Sequence, residues 1–163
     1  MTESNSQAKV GMLIRKPVST VFEAFTNPAI TTKFWFTKST GELEEGKQIN
    51  WIWEMYNLTV PLTVKKIDLN ERIIIEWGEG KHKSTVKWEF KPIHQSNTFV
   101  TITNYDFQCS GDELISEMID STGGFNLVIA GLKAWLEHRV QLNLIADKFP
   151  KELMDETVRP NQS

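Results

Sequence analysis

The stretch STGGFNLVIAGLKAWLEHRV, residues 121–140, places Phe125, Val128, Ile129, Leu132, Trp135, Leu136 and Val140 on one stripe at helical spacing. This periodicity predicts a helix from about Ser121 to about Phe149, roughly 40 Å long at 1.5 Å per residue. Ahead of it, from Thr37 to Phe107, the period is two almost throughout. Turn residues at Gly41 to Gly46, Tyr56-Asn57, Asp68 to Arg72, Gly78 to His82 and Pro92 to Asn97 cut that run into six strands. Their inward faces read as Ile49, Trp51 and Trp53; Leu58, Val60, Leu62 and Val64; Ile73, Ile75 and Trp77; Val86, Trp88 and Phe90; and Val100, Ile102 and Asn104. Such short connections imply an antiparallel meander, and the long helix must lie across it.

Toward the start, Val10, Met12 and Ile14 alternate with their neighbours and predict a further strand, ended by Pro17. Val18, Val21, Phe22 and Phe25 then recur on one helical face. Asn27 as N-cap and Pro28 at the first helical position open a second short helix, with Ile30 and Phe34 one turn apart. Asp112 to Ile119 reads as a short helix or turn of open boundary. Beyond Pro150 the composition is polar, and a tail is expected from Arg159. Residues 1–163 are therefore expected to form one α+β domain with an ordered core over about 9–149. A curved antiparallel sheet wraps a long C-terminal helix, and two short helices follow the first strand.

Eighteen basic against 21 acidic residues give a net charge of −3, and the cations are interleaved with acids. No basic face for a phosphate backbone stands out, so nucleic acid is not expected as a partner. Cys109 is the only cysteine, which excludes an internal disulfide and favours a cytoplasmic setting. The polar opening residues and the lack of an apolar run near ~20 residues argue against export and membrane insertion. His82, His94 and His138 lack the helical i, i+4 spacing of a zinc site, and no phosphate loop is present. No metal and no cofactor is expected. Cys109 has no histidine placed beside it by any motif, and Glu54 and Asp106, the carboxylates able to approach a sheet mouth, are explained as simply by solvated strand ends.

The unusual feature is aromatic. Six tryptophans, Trp35, Trp51, Trp53, Trp77, Trp88 and Trp135, call for a large interior or a cavity to line. Sheet and helix are expected to enclose such a cavity, lined by Trp51, Trp53, Trp77, Trp88, Asn104, Phe125, Leu132 and Trp135. Asn104 falls in register with Val100 and Ile102. Once buried it must be hydrogen-bonded, and backbone, water and ligand are all open as its partner.

The run PVSTVFEAFTNP at 17–28 followed by Phe34-Trp35, then Glu45-Gly46, TVKWEFKP at 85–92 and TFVTITN at 98–104, resembles START-like helix-grip (SRPBCC) proteins. With Gly123-Gly124-Phe125 and Leu132, Trp135, Leu136 and Glu137, it is closest to the branch named for the activator of the heat-shock protein 90 ATPase. The resemblance spans roughly residues 9–149. Members often carry a histidine at the position of Asn104 and a tryptophan at that of Phe125. The resemblance implies a helix-grip fold whose cavity takes a small apolar or lipid-like ligand, and this is the function expected first. A chaperone-cofactor-like interaction module is the second expectation, although only about nine residues precede the first strand, where the activator has a separate domain. A cyclase or hydrolase of the same superfamily is the third, with no acid/base pair to carry it.

Overall fold

The computed structural model describes residues 6–154, and the tail expected from Arg159 lies outside them. Seven strands form one antiparallel sheet in the order β1-β7-β6-β5-β4-β3-β2. They are β1 (Ala8–Ile14), β2 (Lys38–Ser39), β3 (Gln48–Trp53), β4 (Leu58–Asp68), β5 (Arg72–Trp77), β6 (Ser84–Ile93) and β7 (Asn97–Tyr105). From β2 to β7 each strand pairs with its successor, and β1 returns to pair with β7. The inward residues named above are buried in every strand, apart from the half-buried Leu58 at the start of β4 and Met12 in β1. The pairing register shifts between Val64 and Lys66, where Lys65 and Lys66 are both exposed. An extra residue of this kind bends the strand and strengthens its twist.

Helices α1 (Val18–Thr26) and α2 (Pro28–Thr31) meet at a corner built by Asn27. Its side chain accepts from the Ala29 N–H at 3.0 Å, and Pro28 supplies the φ that starts the next helix. The buried Thr31 hydroxyl donates to the Ala24 carbonyl at 2.6 Å, which fixes the angle between the two helices. Val21, Phe22 and Phe25 of α1 face the sheet, and the Phe22 and Phe90 rings meet edge to face at 5.2 Å.

The long helix α3 spans Gly111–His138, which corrects both ends of the expected span. Asp112 to Ile119 is its first part rather than a separate turn. At the other end Arg139 takes a left-handed conformation, φ 55°, and its N–H closes onto the Ala134 and Trp135 carbonyls. A short connector leads through Asn143, also left-handed at φ 56°, into α4 (Leu144–Lys148). These turns are made by residues with side chains where glycine is usual, so no glycine marks the stop.

The partly buried Glu137 carboxylate fastens α3 to the end of β1. It accepts from the Arg15 backbone N–H at 2.8 Å and from Lys133 Nζ at 2.7 Å. Burial opposes its ionisation, but these two partners and His138 outweigh it and hold the carboxyl below the ordinary glutamate range. A carboxyl depressed in the folded state stabilises fully above its unfolded value, about 4.3, and that contribution is lost as pH falls through the folded value. The melting-temperature gap between the wild type and Glu137→Gln is therefore expected to be open at neutral pH and to close below about pH 4. A gap independent of pH would show that the charge is not what fastens β1.

Two glycines of α3 separate contact from propensity. A Cβ on Gly131 would stand 3.0 Å from Phe34 Cβ and 3.2 Å from the Phe34 carbonyl oxygen, whereas one on Gly123 would meet nothing within 4 Å. Gly131→Leu is expected to destabilise by about 1–3 kcal/mol through overpacking. Gly123→Ala is expected to stabilise by about 0.5–1 kcal/mol through helix propensity alone. Urea unfolding of both variants gives the signs, and a stable Gly131→Leu would mean that α3 does not press on the Phe34 backbone.

Candidate functional site

The space between sheet and α3 holds a continuous cluster of aromatic rings. Trp51 and Trp53 come from β3, Trp77 from β5, Trp88 from β6 and Phe125 from α3, and all are buried. At their centre is Trp35, from the loop that leaves α2. Its ring centroid lies 4.8 Å from that of Trp51, 5.8 Å from Phe125, 6.0 Å from Trp77, 6.1 Å from Trp88 and 6.5 Å from Trp53. Phe36 stacks on Trp51 at 4.7 Å and 17°. In this conformation the rings pack against one another between sheet and helix, and the central one is carried by a loop rather than by the sheet or the helix.

Of the residues proposed from the sequence, the structure brings Trp51, Trp53, Trp77, Trp88 and Phe125 together. Leu132 is fully buried one helical repeat further along α3. Trp135 stands apart. It is half-buried, with two cations near its ring, Lys33 Nζ 5.6 Å and Arg139 Cζ 5.4 Å from the centroid. Sequence reasoning leaves Trp35 and Phe36 out of the site, because loop residues carry no period. The usable signal is three consecutive aromatic residues, Phe34, Trp35 and Phe36, all buried in a turn segment.

At the N-terminal end of α3 a polar network closes the cluster. Asn104 Nδ2 donates to Ser84 Oγ at 2.9 Å and to the Thr85 carbonyl at 2.8 Å, and Asn104 Oδ1 accepts from Ser121 Oγ at 2.8 Å. Trp77 Nε1 donates to Ser84 Oγ at 3.2 Å. The asparagine thus ties β6, β7 and α3 together, and its amide hydrogens are both engaged by protein.

Two buried donors contrast with this. Trp35 Nε1 and Trp88 Nε1 have no hydrogen-bond acceptor among the described residues. Trp35 is 4% exposed and Trp88 0%, so neither indole N–H reaches bulk water. An unmet buried donor costs roughly 1–3 kcal/mol, a cost Trp77 avoids by pairing with Ser84.

At the other end of α3 a half-open cavity of about 120 Å³ lies between Phe34, Trp35, Met55, Gly131, Leu142 and Ile145. Helix α4 forms one wall and is held by Tyr56, whose hydroxyl donates to the Phe149 carbonyl at 2.6 Å with the Ile145 carbonyl at 3.3 Å. Burial pushes the Tyr56 phenol up. Trp35 therefore borders the filled ring cluster on one side and open space on the other. A wider hollow of about 390 Å³ lies on the outer face of the sheet against Asn50, Thr63, Glu76 and Lys83.

The titratable residues lie outside the ring cluster. His82 Nδ1 is 2.8 Å from Glu117 Oε1, tying the β5–β6 turn to α3, and His138 is exposed at the end of α3. Glu54 and Asp106 follow β3 and β7, with β4, β5 and β6 between those strands. Burial and the charges of Glu117 and Glu113 push the Cys109 thiol up, the reverse of what a nucleophile needs. Among the described residues no group of His, Cys, Asp and Glu is arranged to hold a metal ion, and no helix is long and apolar enough to cross a membrane.

A buried aromatic interior gripped between a curved antiparallel sheet and one long helix defines the helix-grip class. Residues 15–137 match the family described as Activator of Hsp90 ATPase homolog 1-like protein, and the chain belongs to that family. A crystal structure of a protein from Staphylococcus saprophyticus is similar at 26% identity with a TM-score of 0.71, covering 83% of this chain and 95% of that one. The Aha1 dimer from Colwellia psychrerythraea shares the fold at 15% identity and a TM-score of 0.68, over 81% and 96% of the two chains. CalU16 from Micromonospora echinospora shares it at 16% identity and 0.65, over 89% and 83%. No curated protein matches the sequence.

Proposed function

We propose that this chain binds a small, largely apolar molecule between the sheet and α3, at a site that opens when the Trp35 ring moves. The observation that carries this is the position of Trp35 on a loop, plugging the ring cluster on one side and facing a cavity of about 120 Å³ on the other. An engineered apolar cavity of ~150 Å³ suffices to admit a benzene ring, so displacement of one indole toward that cavity makes room for a compound of ring size. Trp51, Trp53, Trp77, Trp88, Phe125 and Leu132 would line the opened site, with the Asn104 network closing its far end. Among the described residues the buried polar ones are Thr31, Ser84, Thr85, Thr98, Thr103, Asn104 and Ser121, none of which titrates in the ordinary range. Such an interior favours binding over acid/base turnover.

Titration with naphthalene, followed by intrinsic tryptophan emission, tests the reading. A saturable change is expected, because most of the indoles lie in one cluster. No change at any concentration short of denaturation would contradict an opening interior. The family match favours a second reading, a chaperone-cofactor-like module, which a pull-down of bacterial Hsp90 by the purified chain tests directly.

A further inference from the structure

We propose, on the footing that the grip binds a small apolar molecule, that this molecule is uncharged and carries a hydrogen-bond acceptor oxygen, with the indole N–H groups of Trp35 and Trp88 as its donors. The interior shows what its other polar groups require. Thr31, Thr98, Asn104, Ser84, Ser121 and Trp77 all have partners within the protein. The two unmatched indole donors are not scattered. They belong to neighbouring rings, 6.1 Å apart, at the plug and at the wall of the same site. Phenylalanine would fill both places without an unmet donor. The adjacent ring faces, such as Phe125 edge to face with Trp88 at 6.4 Å, are only weak acceptors.

The chemical class follows from what surrounds these donors. No Lys, Arg, His, Asp or Glu is among the buried described residues, and Lys33, which lines the adjoining cavity, is exposed, so a carboxylate, phosphate or ammonium seated beside the two donors would be a buried charge without a buried counter-ion. A neutral oxygen avoids that penalty. A ketone, ester or amide on a ring-sized apolar body fits both the donors and the space that the Trp35 ring and the adjoining cavity provide.

The test uses two compounds of nearly the same shape, 2-acetylnaphthalene and 2-isopropylnaphthalene, titrated into the intact chain by calorimetry and by ¹H–¹⁵N spectra of the indole N–H groups. The acetyl compound is expected to bind at least tenfold more tightly. It alone should move the Trp35 and Trp88 indole resonances downfield. Trp88→Phe should remove most of the preference while 2-isopropylnaphthalene still binds. If that variant does not fold, the two wild-type titrations and the indole shifts still decide. Equal affinities, or indole resonances that stay in place while both compounds bind, would overturn the assignment of the donors and leave the binding reading standing. Failure of both compounds to bind would overturn the binding reading, and this assignment with it.

Discussion

Replacing Trp35 with alanine is expected to cost about 3–5 kcal/mol, although the residue lies in a loop. Loop substitutions usually cost little, because loop side chains pack against few neighbours. Trp35 is an exception on geometry. Six aromatic rings surround it, with centroids between 4.8 and 6.5 Å away, and it is 4% exposed. Removing the indole leaves a hole inside a cluster whose other members sit on strands and on α3 and cannot close over it. Trp135→Ala should fall clearly below that range, because its ring is only half-buried, near Lys33 and Arg139, and loses fewer contacts. Urea unfolding of the two variants side by side gives the comparison. In the Trp35→Ala protein, naphthalene should restore part of the lost stability by occupying the space. A cost near that of Trp135→Ala, with no response to naphthalene, would place the Trp35 ring outside the cluster.

The Asn104 network gives the second large effect. Asn104→Leu fills the volume but removes the acceptor of Ser121 Oγ and one donor to Ser84 Oγ, both buried. Leaving such groups unmet is expected to cost about 2–4 kcal/mol. Asn104→Asp keeps the shape and reverses the chemistry, since a carboxylate oxygen would face the Thr85 carbonyl, which can only accept. The introduced carboxyl is held protonated by burial, so its folded value lies above its unfolded one. The variant should then be least impaired below the unfolded value of about 3.9 and lose stability as pH rises toward the folded one. A melting temperature of Asn104→Asp that does not fall between pH 4 and pH 7 would show that position 104 reaches water.

The strand faces are legible in the sequence because burial on one side imposes a period of two. Trp51, Trp53, Trp77, Trp88 and Asn104 are found inward by counting alone, and Phe125 and Leu132 by the helical period. The ends of α3 are not legible. Arg139 and Asn143 adopt left-handed turns without glycine, and α3 stops where the apolar stripe continues on paper through Val140. Spacing puts Trp135 on the inner stripe, and its ring packs against the core there, yet it is only half-buried, with Lys33 and Arg139 close to it. Trp35 is illegible for another reason. A loop residue is placed by tertiary packing, which leaves no periodic trace. The partners of Asn104, Ser84 on β6 and Ser121 on α3, come together only through topology.

The central claim is that the grip opens by movement of the Trp35 ring to admit a neutral apolar molecule. A crystal structure of the chain soaked with 2-acetylnaphthalene measures this most directly. The account predicts the ring of the ligand among Trp51, Trp77, Trp88 and Phe125, and the Trp35 ring shifted toward the space bordered by Phe34, Met55 and Gly131 with its indole N–H still directed at the ligand's carbonyl oxygen. A ligand bound at the surface, with the Trp35 ring still seated 4.8 Å from Trp51 as in the structure described above, would contradict it.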